Sequence, residues 1–118
     1  MLIANCSEID SVENKDEIVG RGPVYGKLLV DSKATGGVNI KLVSFEPGAR
    51  LNFHIHTFEQ ILYVTEGKGI VATRDKEQIV TPGTVIFIQP GEIHWHGATE
   101  DSLFSHIAIS KPGIKLAE

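Results

Sequence analysis

Five histidines carry the chemistry open to this sequence: His54, His56, His94, His96 and His106. Each lies in or beside a stretch that reads as a strand. In extended backbone, residues i and i+2 project to the same face. His54-x-His56 therefore presents two imidazoles that can bite one metal ion, and His94-x-His96 repeats the spacing later in the chain. Gln60, four residues after His56, offers an amide oxygen as a third ligand. Imidazole suits first-row transition metals such as Zn, Fe, Ni, Cu and Mn. One such pair alone is most simply two exposed histidines on a strand edge. The second pair, set behind the turn at Pro90-Gly91, favours a built site. His106 falls in a run where Phe104, His106 and Ala108 share one face and Leu103, Ser105, Ile107 and Ile109 the other. Phe and Ala beside a histidine mark the first of these faces as inward. A neutral imidazole there can take a proton from a polarised substrate, which is acid–base work.

These residues need a scaffold of short strands, and the punctuation of the chain predicts one. Glycine and proline break the sequence into apolar runs at Val24–Val30, 38–45, 51–56, 60–65, 69–73, 78–80, 84–88, 93–96 and 103–110. Val38, Ile40 and Leu42 alternate with Asn39 and Lys41, the mark of a half-buried strand. Glu66-Gly67-Lys68-Gly69 reads as a hairpin turn from which residues 69–73 pair back, and the charged run 74–77 as another tip. Asp31–Gly37 reads as a polar loop. Residues 8–18 hold the single weak helical pattern, a short helix. About ten strands in so short a chain predict an all-β, antiparallel double-sheet jelly roll, or a barrel closed from one.

The chain of 118 residues has room for one domain, expected to span 1–118 with an N-terminal arm (1–22), a barrel (23–110) and a C-terminal tail (111–118). Net charge is −4, from 11 basic and 15 acidic residues, and no Lys/Arg run forms a phosphate-binding stripe, so no nucleic-acid partner is expected. No apolar stretch approaches the ~20 residues of a membrane span, and no membrane partner is expected. The N-terminus lacks the basic and apolar regions of a signal peptide. Cys6, the lone cysteine, excludes an intrachain disulfide framework and reads as an inert thiol; a cytoplasmic location fits it.

Residues 48–67 read G-ARLNF-H-I-H-TFE-Q-ILYVTE-G. This resembles the first cupin motif, G-x5-H-x-H-x3-E-x6-G, with Gln60 in place of Glu. Residues 83–94 read G-TVIFI-Q-P-G-EI-H and are similar to the second motif, G-x5-P-x-G-x2-H, with Gln89 at the first Pro and Ala98 where an Asn usually closes it. The spacer 68–82 has the length found in small single-domain cupins. The resemblance implies a cupin β-barrel and, residue by residue, a metal site of His54, His56, Gln60 and His94. One divalent transition metal per chain (Mn, Fe, Ni, Co or Zn) is the cofactor it implies. Gln in place of Glu leaves one more unit of metal charge uncancelled, which weakens Coulomb attraction for the ion and sharpens acidification of what binds it. Two alternatives stand beside this set: Gln60 hydrogen-bonds near the ion without ligating it, or Glu59 takes its place after a one-residue register shift.

The run from Pro90 to Ala98, followed by Ser105–Ile109, looks like small cupins with a His-His-Gln-His site. That group includes manganese-dependent hydroxynitrile lyases and carboxymuconolactone-decarboxylase-like proteins. In the lyases a histidine on the last strand is the base, and His106 occupies the matching place; those barrels carry Gln where this chain has Ser110. The expected catalytic residues are His106 and His96, the latter as a partner behind the ligands or a substrate contact. Trp95 faces away and packs. Tyr63, Arg50 and Gln89 are expected at the barrel mouth. The implied activity is metal polarisation of a small oxygen-bearing substrate with histidine acid–base catalysis, of lyase, isomerase or decarboxylase type. A metal dioxygenase and a non-catalytic metal- or sugar-binding module are the alternatives. Homodimers through sheet edges or exchanged N-terminal strands are a further implication.

Overall fold

The computed structural model describes residues 1–117. Its strands are β1 (Val12–Glu13), β2 (Val19–Arg21), β3 (Val24–Val30), β4 (Asn39–Phe45), β5 (Arg50–Leu51), β6 (His54–His56), β7 (Gln60–Gly67), β8 (Gly69–Ala72), β9 (Glu77–Val80), β10 (Val85–Ile88), β11 (Trp95–Ala98), β12 (Phe104–Ser110) and β13 (Ile114–Leu116). A six-stranded sheet runs β1-β3-β4-β12-β7-β10, a five-stranded sheet β2-β5-β11-β8-β9, and β13 pairs with β6 alone. The pairings are antiparallel, as in a jelly-roll barrel.

The period-two pattern decides the inside. On β12, Phe104, His106 and Ala108 are buried, and on β7 so are Gln60, Leu62 and Val64. At one end, Phe45 and Phe104 pack with ring centroids 5.6 Å apart among Ile18, Val24, Leu51, Val64 and Val80. Gly69 lets Phe104 close on the opposite sheet, since a Cβ there would run into the ring. Burying each such aromatic contributes roughly 2–3 kcal/mol of transfer free energy.

Four local expectations are corrected. Residues 8–18 form no helix: a 3-10 turn at Cys6–Glu8 is followed by β1, and Asn14 and Asp16 side chains accept from the backbone N–H groups of Asp16 and Ile18. Such local bonds compete with helix formation. The loop 31–37 contains one helical turn, α1 (Ser32–Thr35), capped by the Asp31 carboxylate. Residues 69–72 do not pair back on β7. Gly67, at φ 75°, and the Lys68 N–H donating to Leu103 O turn the chain into the other sheet, where β8 pairs with β11 and β9. In β4 the apolar alternation is inverted. Ile40 and Leu42 face outward, opposite Ile109 and Ile107, whereas Asn39, Lys41, Val43 and Phe45 share the inner face. The segments expected as arm and tail both enter sheets, through β1, β2 and β13.

Candidate metal centre

The first pair of imidazoles stands on β6, whose three residues bond on one side to β13, in the register Ile114↔His56 and Leu116↔His54. On the other side His54 and His94 exchange backbone N–H···O bonds of 2.9 and 3.1 Å. That single bridge brings residues forty apart in sequence to ring centroids 4.3 Å apart. Gly113 lies where β13 begins, at φ 129°, and a Cβ on it would meet Thr57. The Thr57 N–H donates to Gly113 O at 2.8 Å, which holds the tail against the strand.

The ring orientation of two of these histidines is fixed by carbonyls. His54 Nδ1–H donates to Asn52 O, and His94 Nδ1–H to Glu92 O, both at 2.8 Å. Because a carbonyl only accepts, each ring carries its proton on Nδ1 and presents Nε2 as a lone pair, the arrangement metal-binding histidines use. His54, His56 and His94 bring their ligand nitrogens within 4.8 Å of one another, and all three are buried. His54 Nε2, His56 Nε2, His94 Nε2 and Gln60 Oε1 have no hydrogen-bond partner. Buried polar atoms are seldom left so. Three of these lone pairs converge from β6 and from His94, just before β11, with Gln60 Oε1 of β7 in the same cavity wall; a divalent ion would satisfy them, so the residues fit the metal that the sequence implies.

Behind this group lies a second pair. His106 Nε2 and His96 Nδ1 are 3.0 Å apart, His96 stacks on His94 at 5.6 Å between centroids, and Phe45 closes over both. His106 is fully buried and His96 nearly so. Burial lowers all five imidazoles: His54 to about 3, His56 to about 4 and His106 to about 4, with His94 below the usual value and His96 well below it. Desolvation is the main cause, and neighbouring imidazoles add repulsion for His54, His56 and His96. Near neutral pH all five are therefore uncharged, which is the state for ligating a metal or accepting a proton.

A cavity of about 600 Å³ opens over these groups, with His54, His56, Gln60, His96 and His106 in its wall. The structure thus gathers all six predicted site residues. It does not bring in the others. Glu59 is exposed while Gln60 is buried, so the register-shifted alternative fails. Arg50 lies over the buried Trp95 ring, 3.9 Å from its centroid. Tyr63 is on the outer face by strand parity, and Gln89 is exposed in a turn. Among the wall residues that the sequence reading passed over are Lys41, Val43 and Tyr25 on the β3–β4 side and Ile114 on the tail. The signal for Lys41 was its parity with Val43 and Phe45.

Comparison with known proteins agrees with this geometry. The Cupin domain family matches residues 41–109, more than half of the chain. An (R)-mandelonitrile lyase from Granulicella tundricola is 44% identical over 71 residues, covering 58% of this chain and 53% of that protein. Auxin-binding protein T85 from Nicotiana tabacum is 24% identical over 127 residues, covering 98% of this chain and 66% of that one. The chain thus spans between half and two-thirds of the length of these curated relatives. Among solved structures, a cupin-like protein from Thermotoga maritima is 35% identical with a TM-score of 0.83, covering 89% of this chain and 83% of that one. A polyketide cyclase from Streptomyces resistomycificus shares the fold at 18% identity, with a TM-score of 0.87 and coverage of 100% and 86%. Barrel, motifs and matched family agree: the chain belongs to the cupin domain family.

Proposed function

We propose that this cupin is a metal-dependent enzyme acting on a small oxygen-bearing molecule by lyase, isomerase or decarboxylase chemistry. The observation that carries the reading is the juxtaposition of two differently built groups in one pocket. His54, His56 and His94 gather unpartnered nitrogens within 4.8 Å beside the unpartnered Gln60 Oε1, while His96 and His106 are bonded to each other through one nitrogen each. A divalent transition metal held by the first group would supply Lewis acidity toward a substrate oxygen.

The second group moves protons. With both rings neutral, the pair holds two protons, one of them in the shared bond. If His96 Nδ1 donates, His106 carries its own proton on Nδ1 and His96 Nε2 is the free base. If His106 Nε2 donates, the roles reverse: His106 Nδ1 is the free base and His96 Nε2 holds the proton. A proton accepted at one end is matched by one available at the other, so the pair can serve as base and then as acid without a charged imidazolium persisting in a buried site. Phe45, against both rings, holds them together and excludes water. The relative named as an (R)-mandelonitrile lyase supports the lyase branch.

A binding module is the second reading, favoured by the match of nearly the whole chain to an auxin-binding protein. His106→Ala separates the two. In metal-loaded protein the enzyme reading expects unchanged metal content by elemental analysis and turnover of a cyanohydrin panel lowered by roughly 10²–10⁴-fold. Wild-type protein that holds no metal after reconstitution with Mn, Fe, Ni, Co and Zn would remove the metalloenzyme reading. Metal-loaded wild type with no turnover across cyanohydrins, oxo acids and hydroxy acids would leave the binder.

A further inference from the structure

We infer that Lys41 is a specificity determinant that selects substrates carrying a carboxylate; the inference rests on the enzyme reading above. Strand parity puts Lys41 on the inner face of β4 with Val43 and the buried Phe45. Register fixes its depth. Val43 lies opposite His106, Lys41 opposite Ala108, and Asn39 opposite Ser110, which in turn faces Gln60. Lys41 therefore stands between the level of the proton-moving histidine and that of the candidate ligand Gln60, across β12 from β7. Two strand spacings, about 10 Å, separate its backbone from that of β7. Ala108, the small residue between them, packs with Leu62 of β7, and Lys41 and Ala108 line the cavity with the histidines.

Several cations of the chain are already engaged. Lys27 donates to Cys6 O, Lys68 pairs with Asp101, Arg21 pairs with Glu100, and Lys111 lies over the Phe58 ring. Lys41 has no ion pair among the described residues. Lys41 is itself exposed, at the open side of a cavity whose wall also carries Lys15, Lys111, Glu13 and Asp16. Charge points the same way. His54, His56, Gln60 and His94 are all neutral donors, so a divalent ion on them leaves two positive charges uncompensated in a largely buried place. Such a site favours an anion. An oxo or hydroxy acid, with its oxygen at the histidine end and its carboxylate on Lys41, would satisfy both ends of the pocket.

The test is calorimetric binding of levulinate (4-oxopentanoate) and of its uncharged methyl ester to metal-loaded protein. Wild type should bind the acid about tenfold or more tightly than the ester, as expected for a charge-assisted hydrogen bond. Lys41→Met should bring the two affinities together, and Lys41→Arg should restore most of the difference. Equal binding of acid and ester, binding of neither, or a preference that survives Lys41→Met would overturn the assignment. Metal content measured on the same samples tells two failures apart. Wild type that takes up no ion removes the enzyme reading and this inference with it. Metal-loaded wild type without the preference removes the role of Lys41 alone.

Discussion

The two ends of the barrel are built on opposite principles. At one end Phe45, Phe104, Val64 and Val80 pack apolar side chains from both sheets, the two phenyl rings reaching as far as the His106 imidazole. At the other, six buried polar atoms on five histidines and one glutamine have no partner at all. The first end lowers the free energy of the fold by removing apolar surface from water. The second raises it, since each orphaned polar atom keeps its desolvation penalty until something binds there. The difference teaches that the aromatic end carries the stability which lets the histidine end stay unsatisfied and ready for a ligand.

Three experiments sharpen this contrast. The largest effect is expected from Phe104→Ala, which empties a fully buried ring site and should cost about 3–5 kcal/mol in denaturant unfolding. Phe104 touches His106, 5.4 Å between centroids, but none of the candidate donors, so the loss should be similar with and without metal; a loss seen in only one state would mean that ring packing and metal binding are coupled. The second is pH dependence of the metal-free protein. The folded imidazoles titrate near 3 to 4, at His54, His56 and His106, against 6.5 as the ordinary value. Between those limits the unfolded chain binds more protons than the folded one, so stability is full above pH 6.5 and falls as pH drops toward 4. Thermal melts should show Tm declining across that window. Saturation with metal should move the decline to lower pH, because protons must then compete with the ion. A flat Tm between pH 6.5 and 4 would argue against buried neutral histidines. The smallest effect is expected from Gln60→Glu. It adds one negative charge to a neutral donor set and should tighten metal binding by about tenfold in chelator competition. Unchanged affinity would place Gln60 outside the donor set.

Much of this architecture was legible in the sequence. The spacing of Gly48, His54, His56 and Gln60, and of Gly83 and His94, carried the resemblance that implied the barrel and the candidate donors, and the three histidines among them do come together. Strand β3 and the inward face of β12 followed from turn residues and parity. What was not legible depended on partners distant in the chain. The alternation at Val38, Ile40 and Leu42 suggests the buried face, yet that face is the outer one, where it meets Ile107 and Ile109 on a neighbouring strand. The pattern records that a face is apolar and leaves open which side of the sheet it covers. Lys41 was hidden by the same inversion. The turn at Gly67 likewise looks like a hairpin from within, and only the approach of Leu103 makes it a corner between sheets.

The pairing of β6 with β13 bears on the order in which the protein can be made. His54 and His56 lie near the middle of the chain, yet the strand that sets them in register arrives with Ile114–Leu116. Contacts so far apart in sequence close large loops, and such loops form late because their entropy must be overcome first. The first motif is therefore not a self-contained metal-binding peptide. A growing chain that has reached Ser110 already holds every predicted donor and still lacks the edge that aligns two of them.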